Sequence, residues 1–142
     1  LRQLGDAHTR LDRNEPELNT ARPGDPRDTT TPAAMLGSMR KLVLGDALSP
    51  RARTQLTQWL VENKTGDARL REGVPTGWRV GDKTGSGAYG TNNDIGVLWP
   101  PGRDPVLVTA YLTGTKEQIA TRERALAEVG KLVVSLASAK VA

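Results

Sequence analysis

Apolar residues recur at helical spacing in three stretches of the chain, and three shorter stretches have the pattern of strands, the first of them, 78–83, by alternation. Thr31-Pro32 and Ser49-Pro50 each place a capping hydroxyl before a proline, which favours the start of a helix. The first helix is expected to end at Gly45 and the second near Asn63. Their expected buried stripes are Met35, Met39, Leu42 and Val43, followed by Ala52, Leu56, Trp59 and Leu60.

The second half of the chain predicts three strands and one long helix. Strands are expected at 78–83, 93–99 and 106–112, and their short connections favour an antiparallel meander. The connector 64–75 is expected to hold one helical turn at 67–70. A helix over about 115–138 is the one element predicted to cover the sheet. Its expected buried face consists of Ala125, Leu126, Val129, Leu132, Val133 and Leu136.

The first thirty residues show no sustained periodicity. A helix end is expected at 1–5, and prolines interrupt the stretch 6–30, which predicts a compact Ω-like loop. The chain is therefore interpreted as part of one α+β domain (an α/β sandwich). Its expected segments are the helix end and loop at 1–30, helices at 31–75, antiparallel strands at 76–113 and a C-terminal helix at 114–142.

The composition of the 142 residues narrows the chemistry. Cysteine is absent and His8 is the single histidine, so this chain has no disulfide, thiolate metal site or multi-histidine metal cluster. For the same reason no Ser-His-Asp triad is evident. No stretch has the ~20 apolar residues of a membrane span. The net charge of +4 comes from scattered residues, which does not favour nucleic-acid binding.

Two segments carry the candidate active-site residues. Arg13-Asn14-Glu15-Pro16-Glu17-Leu18-Asn19 lies in the loop, and Asp82-Lys83-Thr84-Gly85-Ser86-Gly87 ends the first strand. In this order they resemble the class A serine β-lactamases, of which K-T-G is a signature. A second K-T-G, Lys64-Thr65-Gly66, follows a helix and is interpreted as a helix end.

The resemblance implies a portion of the β-lactamase/transpeptidase-like fold and the hydrolysis of β-lactam antibiotics through a serine acyl-enzyme, with no metal or cofactor. Glu15 would be the general base for deacylation, and Asn19 would help to hold the water. Their spacing places both on one face of a helical turn. Arg13 and Asp28 would form an ion pair that closes the loop, the alternative being two solvated charges.

The strand-end K-T-G would bind the carboxylate of the substrate. Lys83 would attract this group and bias proton transfers near the nucleophile, while Thr84 and Ser86 offer hydroxyls. Gly85 would let the backbone approach the ligand closely. The backbone N–H of Ser86 would supply half of the oxyanion hole.

One guanidinium is expected to assist this carboxylate site. Many family members carry an arginine on the neighbouring strand, but that strand here reads Thr91-Asn92-Asn93. Arg69 in the connector is therefore the candidate, and a surface arginine is the alternative. Arg71 is expected to point elsewhere and to be nearly silent when substituted. Asp94 is expected to support its strand.

The chain is interpreted as lacking the Ser-x-x-Lys nucleophile segment and the Ser-Asp-Asn loop, which precede the Glu-bearing loop in the family. The expected partner is therefore the N-terminal half of the same enzyme, and this chain alone is expected to be inactive. The family implies a periplasmic or secreted bacterial protein. A penicillin-binding transpeptidase-like fragment and a non-catalytic basic binding module are the alternatives, and a deacylating base speaks against the first.

Overall fold

The computed structural model describes residues 1–139, so the last three residues of the expected segment 114–142 lie outside the described range. Within it, one 3₁₀ turn (Arg2–Leu4) ends at Gly5 and a second (Glu17–Thr20) lies in the first loop. The regular elements that follow are α1 (Pro32–Met39), α2 (Pro50–Glu62), β1 (Arg79–Gly87), β2 (Thr91–Trp99), β3 (Val106–Leu112) and α3 (Ile119–Ser138). The predicted α+β class is confirmed.

Local hydrogen bonds explain where the helices begin. Thr31 and Ser49 accept from the N–H groups of Ala34 and Ala52, and a proline follows each cap. A π-helical turn (Arg40–Leu44) then continues α1. The predicted start of α3 at 115 is wrong because the Thr115 hydroxyl accepts the N–H of Glu117 at 3.1 Å, which holds these residues in a turn.

The connector between α2 and β1 also differs from the prediction. Its 3₁₀ turn spans Leu70–Gly73 rather than 67–70. Arg69 is the last residue of a turn that begins at Gly66, because its N–H donates to the Gly66 carbonyl oxygen at 2.9 Å. It directly precedes the 3₁₀ turn, and its backbone is neither helical nor extended (φ −111°, ψ −131°). The position of Arg69 at this corner sends its side chain toward the sheet, as described below.

The sheet is the predicted antiparallel meander, with the order β1-β2-β3. β1 is longer than predicted, since its pairing with β2 continues to Gly87 opposite Thr91. The register places Thr84 opposite Asp94 and Ser86 opposite Asn92. Because side chains alternate along a strand, these four residues share one face of the sheet.

Helices cover both faces of the sheet, so the expectation of a single covering helix is wrong. One buried cluster lies beneath α3 and the connector and comprises Leu70, Val80, Leu98 and Val108. A second lies beneath α1, the π-helical turn and α2, and comprises Met39, Val43 and Val97. No helix within residues 1–139 is long and apolar enough to cross a membrane.

The predicted apolar stripe of the first helix packs on the core, but part of the stripes of α2 and α3 is exposed. On α2, Leu56 and Leu60 pack on the core, but Ala52 is exposed and Trp59 is 64% exposed. On α3 the buried residues are Leu126, Ala127 and Gly130, whereas Ala125, Leu132 and Leu136 are exposed. Periodicity identifies the apolar face of α2 and of α3 correctly. Within residues 1–139, however, only part of that face packs against the rest of the protein.

Two glycines allow the connector to lie directly on α3. A Cβ at Gly73 would overlap the carbonyl oxygen of Ala127, and a Cβ at Gly130 would overlap that of Leu70. We expect Gly130→Ala to lower the free energy of unfolding by about 1–3 kcal/mol through overpacking. Gly37→Ala in α1 is the control, because a Cβ there meets no atom within 4 Å and alanine favours a helix by up to about 1 kcal/mol.

Urea unfolding of both variants measures this difference. Equal midpoints for Gly130→Ala and the unsubstituted protein would show that the connector can move away from α3 without loss.

Candidate active site

The first loop is closed by a carboxylate that binds both side-chain and backbone donors. Arg13 Nε lies 2.5 Å from Asp28 Oδ2. Asp28 Oδ1 accepts the backbone N–H groups of Asp12 at 2.6 Å and Arg13 at 3.0 Å. Burial would raise the pKa of Asp28, but these donors hold it below its ordinary value. The pair therefore joins the two ends of the loop.

A second carboxylate anchors the start of the same loop to α1. Asp6 is buried and accepts the N–H of His8 at 2.9 Å, the N–H of Thr9 at 2.8 Å and the hydroxyl of Ser38 at 3.1 Å. Hydrogen bonds from the Thr9 side chain and backbone keep the pKa of Asp6 far below its ordinary value. Asp6 is thus an ionised, fully engaged anchor.

The expectation that no Ser-x-x-Lys pattern occurs is wrong, since Ser38-Met39-Arg40-Lys41 has this spacing. Ser38 is buried and donates to Asp6, while Lys41 Nζ donates to the carbonyl oxygen of Leu4 at 2.6 Å. Both side chains thus tie the beginning of the chain to α1. A nucleophile that needs an exposed hydroxyl beside a base is not provided here.

The loop brings Glu15 and Asn19 together and lies against the end of β1. Asn19 Nδ2 donates to Glu15 Oε2, and the peptide bond between Glu15 and Pro16 is cis. The backbone N–H of Ala88 donates to the carbonyl oxygen of Asn19 at 3.0 Å. A Cβ at Gly87 would come within 2.6 Å of that same oxygen. The absence of a side chain at 87 therefore permits this contact.

The K-T-G residues lie on β1 between this loop and the connector. Lys83 is exposed, and its Nζ donates to the carbonyl oxygen of Thr84 at 2.6 Å. Thr84 Oγ1 lies 2.5 Å from Thr65 Oγ1. The side chain of Ser86 is more accessible than that of Thr84, which is half-buried. One ammonium and two hydroxyls are thus presented along a short length of strand.

Arg69 is directed at this strand, so the alternative of a surface arginine is wrong. It is 4% exposed, and its guanidinium donates to the carbonyl oxygens of Gly85 at 3.0 Å and Asn93 at 2.8 Å. It also donates to Ser86 Oγ at 2.8 Å. Its Nε lies 3.6 Å from a carboxylate oxygen of Glu123 on α3. The expected guanidinium therefore lies beside the end of the K-T-G segment.

Arg71 points away from the carboxylate site, as expected, but it pairs with a buried carboxylate. Its Nε donates to Asp82 Oδ1 at 3.1 Å, and a second guanidinium nitrogen contacts the same oxygen. Asp82 is fully buried, and Asn63 Nδ2 donates to its other oxygen at 2.6 Å. Removal of Arg71 would leave a buried charge without its partner, which is strongly destabilising.

The role of Asp82 follows from a signal that the sequence does contain. Val80 and Asp82 are two residues apart on one strand, so their side chains must lie on the same face of the sheet. The sequence therefore indicates that the carboxylate of Asp82 lies beside a core valine. Asn63 and Thr65, by contrast, follow a helix and carry no local pattern. Their contacts with Asp82 and Thr84 depend on tertiary structure alone.

β2 supplies no positive charge to the site. Asn92, opposite Ser86, is 1% exposed. Asp94 is fully buried and accepts the N–H of Leu70 at 3.1 Å, which ties the connector to the sheet. Burial, followed by the nearby charge of Asp82, raises the pKa of Asp94 to about 7. Within residues 1–139 no group of three His, Cys, Asp or Glu residues could hold a metal ion.

Comparisons with known proteins identify the family. The sequence profile of the β-lactamase enzyme family matches residues 1–137. The chain is 54% identical to the β-lactamase CTX-M-8 of Citrobacter amalonaticus over 132 residues, which are 93% of this chain and 45% of that protein. It is 56% identical to a β-lactamase of Streptomyces albus G over 126 residues, 89% of this chain and 40% of that protein.

A solved structure of an ancestral class A β-lactamase gives the same result. It superposes with a TM-score of 0.94 at 64% sequence identity, covering 96% of this chain and 52% of that structure. The chain thus spans less than half the length of the two curated relatives and about half of this structure.

The pKa of Asp94 makes stability depend on pH. In the folded protein its carboxyl group keeps the proton to a pH of about 7, whereas the ordinary value is 3.8. Unfolding between these values releases a proton, so the contribution of Asp94 to the free energy of unfolding falls as the pH rises from about 4 to 7. We expect Asp94→Asn, which stays neutral and can accept from Leu70, to remove this fall.

Urea unfolding from pH 4 to pH 8 measures the difference in stability between Asp94→Asn and the unsubstituted protein. The advantage of the variant should grow through this range and level off above pH 7, at no more than about 4 kcal/mol. A difference that is constant with pH would contradict the assignment.

Proposed function

The chain belongs to the class A β-lactamases, and we propose that it supplies the deacylation base and the substrate-binding strand of an enzyme that hydrolyses β-lactam antibiotics through a serine acyl-enzyme. The observation that carries the proposal is the hydrogen bond from Ala88 N to the carbonyl oxygen of Asn19. It fixes the loop that bears Glu15 to the end of the strand that bears Lys83. Base and substrate-binding groups therefore belong to one rigid arrangement.

Glu15 is the general base in this proposal. Its carboxylate takes a proton from water as the water oxygen bonds to the acyl carbonyl carbon. The proton then passes to the serine oxygen as the ester bond breaks, which regenerates both groups. The amide of Asn19 already donates to Glu15, so it orients the carboxylate, and its carbonyl group can hold the water. General-base assistance of this kind contributes roughly 10²- to 10⁴-fold in rate.

The carboxylate of the antibiotic is the proposed ligand of the K-T-G strand. Lys83 offers an exposed ammonium, which keeps donors besides the one that the Thr84 carbonyl oxygen accepts, and Thr84 and Ser86 offer hydroxyls. Arg69 donates to Ser86 Oγ, so Ser86 can direct its own hydrogen at the substrate. The backbone N–H of Ser86 would donate to the oxyanion. Gly85 has no side chain, so the substrate can approach the backbone of β1 closely at this position.

The nucleophilic serine is proposed to come from the N-terminal half of the same enzyme. Two observations support a partner that covers this part of the chain. The outward residues Leu132 and Leu136 of α3 are 59% and 69% exposed, and within residues 1–139 β1 and β3 each have one edge that pairs with no strand. We infer from the family that the whole enzyme is periplasmic or secreted.

Replacement of the base should separate the two half-reactions. In the complete enzyme, formed by this chain with its nucleophile-bearing half, we expect Glu15→Gln to slow deacylation at least about 100-fold. Binding and acylation should be affected much less, because the substitution leaves the K-T-G strand and its hydrogen-bond donors unchanged. An adduct of penicillin should therefore persist on the nucleophile-bearing half, where intact-protein mass spectrometry detects it. Glu17→Gln is the matched control, because Glu17 is an exposed carboxylate of the same loop.

The controls also distinguish the alternatives. This chain alone should not hydrolyse nitrocefin. A stable adduct on the unsubstituted complete enzyme would indicate a transpeptidase-like protein, and the absence of both adduct and turnover would indicate a binding module. An adduct of Glu15→Gln that disappears at the unsubstituted rate would refute the role of Glu15.

Loss of Arg69 should weaken the carboxylate site. Charge-assisted hydrogen bonds contribute about 1.5–3 kcal/mol, so we expect Arg69→Ala to lower kcat/KM roughly 10- to 100-fold. Arg51→Ala, which removes an exposed arginine of α2, should have no effect. Steady-state kinetics below the unfolding temperature of each variant provide the measurement. Equal kcat/KM for both variants would mean that other groups bind the carboxylate.

A further inference from the structure

The second Lys-Thr-Gly tripeptide lies directly against the first. Thr65 Oγ1 is 2.5 Å from Thr84 Oγ1, although the two residues belong to the connector and to β1. Gly66 is buried, and a Cβ there would overlap the carboxylate of Asp82. Glycine at 66 is thus what allows the connector to approach β1 at the level of Thr84. The tripeptide therefore does more than end a helix.

The hydrogen bonds around Thr65 have a defined direction. Asp82 pairs with the guanidinium of Arg71, so its oxygens are acceptors. Asn63 must therefore turn its Nδ2 toward Asp82, where the distance is 2.6 Å, and its Oδ1 toward Thr65. That Oδ1 accepts the Thr65 hydroxyl at 2.9 Å and the Thr65 backbone N–H at 3.3 Å. Since the Thr65 hydrogen is committed to Asn63, its oxygen accepts from Thr84.

We propose that Thr65 is a positioning residue of the substrate-carboxylate site and sets the direction of the Thr84 hydroxyl hydrogen. Without substrate, this hydrogen points to Thr65 and away from any anion. When a carboxylate binds, Thr84 rotates to donate to it, and Thr65 rotates to donate to Thr84. No proton moves between heavy atoms. This inference rests on the proposed function, because the carboxylate is that of the β-lactam.

The reversal leaves every group paired. Asn63 Oδ1 loses the Thr65 hydroxyl but keeps the backbone N–H of Thr65. Thr84 then accepts one hydrogen bond while it donates another, and hydrogen bonds in such a chain strengthen each other. Thr65 therefore makes Thr84 a better donor at the moment of binding. Because this contact is present throughout the reaction, its loss should raise KM and leave kcat nearly unchanged.

The test compares substrates with and without the charge that Thr84 is proposed to meet. In the complete enzyme, Thr65→Val removes the hydroxyl with little change in shape, and Thr65→Ala removes it a second way. Thr65→Ser retains it. Lys64→Ala is the matched control, because it alters an exposed neighbour in the same tripeptide. The substrates are a penicillin with its free carboxylate and the methyl ester of the same penicillin.

We expect Thr65→Val and Thr65→Ala to raise KM for the free acid about 3- to 10-fold, the loss of one net hydrogen bond. Their kcat should stay within about twofold, and kcat/KM for the ester should not change. Thr65→Ser and Lys64→Ala should match the unsubstituted enzyme. This pattern would distinguish a positioning role from a structural one, which would affect both substrates equally.

Three results would overturn the inference. Unchanged KM in Thr65→Val and Thr65→Ala would show that Thr84 does not depend on Thr65. An equal loss for acid and ester would show that Thr65 serves only the fold. The absence of turnover by the unsubstituted enzyme would refute the proposed function and this inference with it, which is distinguishable because the unsubstituted enzyme itself fails.

Discussion

Asp82 imposes the constraint on which the arrangement of the site depends. A carboxylate with no solvent exposure is stable only where donors surround it, and its two oxygens receive Arg71 from the connector and Asn63 from the end of α2. Both donors come from outside the sheet, so the residue before Lys83 fixes the position of two other segments relative to β1. Arg69 reaches β1 because Arg71, two residues later, is held at Asp82. Thr65 reaches the same strand because Asn63, two residues earlier, is held at Asp82 as well.

The sequence predicts the fold better than it predicts the contacts of the site. Helix starts at Thr31 and Ser49 follow from local hydrogen bonds that the structure contains, and the meander follows from three strand-forming segments joined by short connections. The ion pair between Arg13 and Asp28 can be predicted from the family resemblance, because the two residues lie at the two ends of one loop. The extent of β1 could not be predicted, because glycines at 85 and 87 lower strand propensity while pairing with β2 overrides it.

The interactions that were missed connect segments with no common local pattern. Nothing around Asn63 indicates that it binds Asp82, and the Lys64-Thr65-Gly66 tripeptide resembles an ordinary helix end. Arg69 is expected beside the K-T-G strand and contacts carbonyl oxygens and Ser86 there, but nothing in the sequence indicates that Arg71 pairs with the buried Asp82. The corner at Arg69, where a non-helical residue precedes the 3₁₀ turn, sends the two guanidinium groups to different partners.

The contact between the loop and β1 is made by backbone atoms, Ala88 N and Asn19 O. A bond of this kind is indifferent to the side chain at 88, so position 88 can vary in residue type while the loop stays docked. It is not indifferent to length, because an inserted or deleted residue would move the donor out of register. Among homologous enzymes, position 88 should therefore accept substitution far more readily than the turn accepts insertion or deletion.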